Sequence, residues 1–176
     1  MTRKDYVVLV NSSGRRTSVA EKMEAHEQGL LHRAFSIFIF NPNDEMLLQK
    51  RARHKYHFAG LWTNACCSHP PPGKRVGTSA SRRLQEELGF ITHLQLVGHT
   101  VYSFQDIESG LIEHEFDYIF KGYFDGEIHM NHEEAEEIRW IKWKALEREI
   151  TSFPHLFTPW LKKILKTPSL KKRLMT

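Results

Sequence analysis

The apolar run Tyr6 to Val10 predicts a strand reaching Asn11, and Asn11-Ser12-Ser13-Gly14 predicts a turn. Ser18 to Gln28 predicts a short helix on Val19-Ala20-Glu21-Lys22-Met23, broken by Gly29. Phe35 to Phe40 is an apolar run of strand length, Asn41-Pro42-Asn43-Asp44 a hairpin turn, and Glu45 to Arg51 the returning strand. Arg53 to His57 is a polar loop. Pro70, Pro71 and Pro72 end regular structure, and Gly73 to Gly77 continue the loop. Ala80, Leu84 and Leu88 then recur every four residues, which predicts a helix with one apolar stripe. Thr78 or Ser79 can cap it and Gly89 stops it. Arg82/Glu86 and Arg83/Glu87 add ion pairs at i, i+4. Leu94 to Phe104 and Glu113 to Phe124 predict strands joined around Ser109-Gly110, with further strands at Gly126 to Met130 and Ile138 to Ile141. Lys144 to Ile150 predicts a short helix, and a last helical segment covers about 159–175, from Pro159 toward Lys166 and beyond. With no repeat, low-complexity segment or linker, the pattern predicts one α/β domain over 1–176, core about 30–143, with a mixed sheet flanked by helices.

Composition changes this picture little. The 176 residues suffice for one real core, and 40% hydrophobic with 26% charged residues is ordinary for a globular chain. No apolar run reaches the ~20 residues of a membrane span. Met1 to Asp5 followed by a short apolar run does not resemble a secretory leader, so a cytoplasmic protein is expected. The two cysteines, Cys66 and Cys67, are adjacent, which argues against a disulfide. The net charge of +4 owes much to Lys162, Lys163, Lys166, Lys171, Lys172 and Arg173, a tail without interleaved aromatics and so no nucleic-acid patch.

Two short segments carry the chemistry. In Trp62-Thr63-Asn64-Ala65-Cys66-Cys67-Ser68-His69-Pro70, a thiol and an imidazole stand two apart and share one face if the segment is extended; Cys66 then points away. In Glu113-His114-Glu115-Phe116-Asp117, two carboxylates share a face of an otherwise apolar strand, which is costly without a cation. His26, His32 and His69 are candidate nitrogen ligands, and three imidazoles with two carboxylates suit Zn²⁺, Mn²⁺ or Fe²⁺. Glu87 suggests a second, harder cation, Mg²⁺ with phosphate oxygens. Lys22, Arg51, Lys55 and Arg83 would together make a diphosphate site, and Trp62 or Trp160 offers a π-face to a cation.

These segments resemble the two signature segments of type I isopentenyl-diphosphate isomerases, a family of the Nudix superfamily, over about Asn11 to Trp160. The Nudix box G-x5-E-x7-R-E-U-x-E-E-x-G-U aligns with Gly89 on its last glycine. It then has Ser68 for the first glycine, Lys74 for the first glutamate and Arg83 for the helix glutamate that hydrolases use to bind Mg²⁺. The resemblance implies a Nudix-like α/β/α sandwich. It implies one Mn²⁺ or Zn²⁺ on His26, His32, His69, Glu113 and Glu115, and Mg²⁺ at Glu87. It implies diphosphate contacts from Lys22, Arg51, Lys55 and Arg83, an acid–base pair of Cys67 and Glu115, and Trp160 facing the cationic centre. Glu115 is expected to serve the terminal carbon and Cys67 the opposite side, with the Cys67 pKa lowered by its histidine and cation neighbours. The family's tyrosine near Glu115 can be matched to Tyr102-Ser103-Phe104 in more than one register. The expected protein is a monomer or weak dimer acting on a small diphosphate, not on nucleic acid or membrane. The rival expectation is a Nudix hydrolase of a nucleoside diphosphate derivative.

Overall fold

The computed structural model describes residues 5–176, so the leader reading at Met1 to Lys4 falls outside it. Nine strands form one sheet: β1 (Tyr6–Val10), β2 (Arg16–Glu21), β3 (His32–Phe40), β4 (Glu45–Arg51), β5 (Trp62–Asn64), β6 (Cys66–Ser68), β7 (Gln95–Gln105), β8 (Ile112–Tyr123) and β9 (Ala135–Lys142). The helices are α1 (Lys22–Glu27), α2 (Val76–Leu88), α3 (Trp143–Ser152), α4 (Pro159–Lys166) and α5 (Pro168–Met175).

The long apolar strand β3 is the spine. It runs parallel to β8 from His32↔Glu115 to Phe40↔Tyr123 and antiparallel to β6 and the end of β1. Its alternation sets the layers. Phe35, Ile37 and Ile39 pack with Ala80, Leu84 and Leu88 of α2. Phe38 and Phe40 face the other way, into a core closed by Leu146 of α3, Leu161 and Ile164 of α4 and Leu174 of α5. The result is the expected mixed sheet with helices on both faces. Among the described residues, no helix is long and apolar enough to cross a membrane.

Four local expectations are corrected. Ser18 to Glu21 is strand rather than helix, because β2 pairs with β1 (Val8↔Val19) and the helix starts only at Lys22. Gly126 to Met130 forms no strand; His129 N–H bonds to Leu88 O and Asn131 N–H to Glu87 O, fastening the segment to the end of α2 instead. Thr78 and Ser79 lie inside α2, whose N-cap is Arg75. The segment after Pro159 is two helices, since Pro168 lacks the N–H that would continue the first.

Gly89 sits at φ +78°, and a Cβ there would stand 2.8 Å from His129 Cβ and 2.9 Å from its carbonyl oxygen. Gly89→Ala is therefore expected to cost about 2 kcal/mol. That lowers the thermal midpoint by roughly 4–8 °C. An unchanged midpoint in thermal denaturation would contradict this close approach.

Candidate active site

The site lies where β3 and β8 begin. Glu113, Glu115 and Asp117 alternate along β8 on the face that further on carries the core residue Ile119, and all three are buried. The parallel register puts His32 beside Glu115. The antiparallel β6 puts Cys67 beside Ser36, sends Cys66 into the α2 core, and leaves His69 just past its end. Helix α1 delivers His26, fully buried. His114 points the other way, to Gly29 O at 2.8 Å.

The ring nitrogens fix what this group can hold. A backbone carbonyl only accepts, so His26 Nδ1–H donates to Lys22 O (2.6 Å) and His32 Nδ1–H to Leu30 O (2.8 Å). Both Nε2 atoms therefore offer lone pairs inward. His32 Nε2 lies 3.1 Å from His69 Nε2, which is 2.7 Å from Glu115 Oε1. His26 Nε2 faces Glu113 Oε2 at 3.3 Å, and neither atom has a hydrogen-bond partner. Ligand atoms of His26, His32, His69 and Glu113 all lie within 4.8 Å of one another, and Glu115 Oε1 stands 3.6 Å from His32 Nε2. Ligand atoms that converge in this way, two of them ring nitrogens whose rings carry their protons on the far side, fit a divalent cation. Burial works against the charge of Glu113, but the neighbouring His26 imidazole and the hydrogen bond with His57 hold its carboxyl well below the usual range. Burial and the charge of Glu113 likewise oppose Glu115, and His32 and His69 outweigh them. Burial pushes His69 down to about 4.

Cys67 and Glu115 sit on one cleft of about 1080 Å³. The Cys67 thiol donates to Asn64 Oδ1 (3.2 Å) and lies 3.5 Å from Ser36 Oγ, whose hydroxyl donates to Asp117 Oδ2 at 2.8 Å. The ambiguous tyrosine resolves to Tyr102, which pairs in register with Glu115, hydrogen-bonds its Oε2 and reaches Asp117 Oδ2 at 3.2 Å. The expected lowered pKa of Cys67 is corrected. Burial, and then the charge of Asp117, push the thiol up to about 12 before any cation is counted. Trp160 walls the same end, its indole N–H bonded to Thr63 Oγ1 (2.9 Å) and its ring under the Arg51 guanidinium at 5.4 Å. Trp62 packs beneath Arg139 instead, 4.3 Å from its guanidinium.

Lys22, Arg51, Lys55 and Arg83 all line the cleft. Arg51 donates to His57 O and Phe58 O, each at 3.1 Å, and Lys22 lies over the Tyr56 ring at 4.9 Å. Lys55 is ion-paired with Glu134, and Arg83 Nη2 bonds Glu87 Oε1 (2.6 Å) and Glu134 Oε1 (3.0 Å). Burial opposes ionisation of Glu134, but Lys55 and Arg83 hold its carboxyl below the usual range. Glu87 lies outside the four-ligand group. Its second oxygen accepts from Gln49 Nε2 at 3.3 Å, and Gln49 Oε1 is buried without a partner. Every carboxylate of the Arg82–Glu87 stretch is thus held by an arginine of the same helix.

Sequence reasoning did not single out His57, Asp117 or Glu134. The alternation that flagged Glu113 and Glu115 extends to Asp117. His57 hydrogen-bonds Glu113 from an irregular loop, and no spacing marks it.

Residues 30–164 match the NUDIX domain family. The chain is 46% identical over 162 residues to a Serratia proteamaculans protein named isopentenyl-diphosphate Delta-isomerase, covering 92% of this chain and 90% of that one. It is 41% identical over 179 residues to the Aliivibrio fischeri protein of the same name, covering 98% and 96%. A Deinococcus radiodurans crystal structure superposes with a TM-score of 0.69 at 15% identity, over 85% of this chain and 90% of that one. The MutT protein of Methanosarcina mazei follows at 0.62 and 16%, over 81% and 92%. Both structures share the fold.

Proposed function

The chain belongs to the Nudix family and, within it, to the isopentenyl-diphosphate Delta-isomerases, and on that premise we propose that it interconverts isopentenyl and dimethylallyl diphosphate. The route is protonation and deprotonation through a tertiary carbocation. One observation above all supports this: a thiol (Cys67) and a tyrosine-bonded carboxylate (Glu115) line the same cleft as Lys22, Arg51, Lys55 and Arg83.

An isolated alkene is a weak base, so it needs a placed acid on one face and a base on the other. Tyr102 and Glu115 serve the terminal carbon, and Cys67 serves the carbon beside the diphosphate-bearing one. Because the reaction runs both ways, each group is donor in one direction and acceptor in the other. A divalent cation held by His26, His32, His69, Glu113 and Glu115, Mn²⁺ or Zn²⁺, would supply positive charge that favours the anionic forms of Cys67 and Glu115. Glu87 would hold the Mg²⁺ that arrives with the diphosphate, beside the unpartnered Gln49 Oε1. Lys22, Arg51, Lys55 and Arg83 bind the diphosphate. Trp160, tied to Thr63, keeps water from the carbocation and offers it a π-face. The protein works in the cytoplasm as a monomer or weak dimer.

The hydrolase alternative loses support at position 83, where an arginine stands in place of the helix glutamate that hydrolases use to bind Mg²⁺ and is itself paired with Glu86 and Glu87. Proton NMR of isopentenyl diphosphate with the protein, Mg²⁺ and Mn²⁺ in D₂O is expected to show dimethylallyl diphosphate carrying deuterium. Unchanged substrate, with nucleoside monophosphate released from a nucleoside diphosphate panel, would instead establish the hydrolase.

A further inference from the structure

We infer that Glu134 is a built-in counterion of the cleft's diphosphate end and makes diphosphate binding conditional on Mg²⁺. The inference deepens the proposed function and rests on its diphosphate reading.

Glu134 gives one carboxylate oxygen to Lys55 and the other to Arg83, occupying both cations as two oxygens of a phosphate would. Its main chain is held in place. Its N–H is bonded to Asn131 O (3.0 Å), its carbonyl accepts from Ala52 N–H (3.2 Å), and Asn131 N–H is tied to Glu87 O (2.8 Å). The segment is thereby pinned to both α2 and the loop after β4. Arg83 is also claimed by Glu86 and Glu87, while Arg51 is committed to two carbonyls. Lys55 and Arg83 therefore already carry a counter-charge. A bare diphosphate must compete with Glu134 for Lys55 and Arg83, and then lies against the Glu134 carboxylate, which lines the same cleft. Like charges at such separations in a partly buried site weaken binding strongly. A diphosphate carrying Mg²⁺ brings a divalent charge to that carboxylate, which turns the repulsion into attraction.

The test is calorimetric binding of inorganic pyrophosphate, with and without added Mg²⁺, to the wild type and two variants. Glu134→Gln keeps the shape and loses the charge; Glu134→Asp keeps the charge and loses the reach. The expected result is that Glu134→Gln tightens Mg²⁺-free binding by about tenfold and shrinks the advantage given by Mg²⁺. Glu134→Asp should retain that advantage. If Glu134→Gln weakens pyrophosphate equally in both conditions, or only Glu134→Asp alters the ratio, Glu134 is a scaffold for Lys55 and Arg83 and the inference is overturned. Failure of the wild type to bind pyrophosphate even with Mg²⁺ would strike the diphosphate reading itself, and the inference with it.

Discussion

Replacing Cys67 with serine is expected to slow isomerisation by about a thousandfold, within the range that one general acid–base group contributes. The change alters almost nothing else. A serine hydroxyl can keep the hydrogen bond to Asn64 Oδ1, and the side chain is enclosed by Phe58, Trp160 and Tyr102, so the fold should survive. What is lost is acidity: an alcohol in the place of a thiol neither gives nor takes a proton readily near neutral pH. The diphosphate contacts lie on other residues, so KM should stay within a few-fold while kcat falls. Deuterium incorporation from D₂O into the isomerised product should fall with it, in both directions, because each direction needs a proton delivered at one carbon and another removed at the second. Activity within tenfold of wild type would remove Cys67 from the pair.

Period-two spacing carried much of this site in the sequence. Cys67 and His69 stand two apart, as do Glu113 and Glu115; strand β8 projects its pair to one face, and Cys67 and His69 both line the cleft although β6 ends between them at Ser68. The α2 stripe was equally readable, since Ala80, Leu84 and Leu88 are fully buried. What local spacing could not carry was register between distant strands. Tyr102 faces Glu115 because the β7–β8 ladder runs in constant register from Gln105↔Ile112 next to the turn, and no residue near Tyr102 announces where that turn fixes the register. The same limit explains Cys67. Along the chain its neighbours are His69 and a presumed cation, but β8 brings Asp117 toward its sulfur, so burial and a carboxylate raise its pKa. In β2 the helix-forming stretch Val19 to Glu21 was overridden by pairing with β1, a tertiary effect that propensity does not register.

Glu113→Gln is expected to cut bound metal from one per chain to a small fraction and to lower activity by at least about a hundredfold. Gln keeps the shape but takes away a negative charge where His26, His32 and His69 present neutral nitrogens, so a dication loses charge compensation as well as a ligand. Stability gives a readout independent of turnover. A cation at about a hundred to a thousand times its dissociation constant adds roughly 3–4 kcal/mol. That is a rise of about 6–16 °C in wild-type thermal midpoint, and the variant should show almost none of it. The pH dependence has a definite sign. Without metal, the raised pKa of His26 adds stability below the usual imidazole value of 6.5, lost as pH rises through its folded value. The depressed pKa of Glu113 adds stability above the usual carboxylate value of 4.5, lost as pH falls through its folded value. The His26–Glu113 pair therefore helps the chelator-treated protein most in mildly acidic solution, between those two values. Metal binding needs His26 unprotonated, so the metal-induced rise should grow as pH climbs through the folded His26 pKa. In Glu113→Gln both trends should flatten together. If the metal-induced rise survives in the variant, the cation is held without Glu113, and His26 Nε2, facing that carboxylate with no other partner, would need a different explanation.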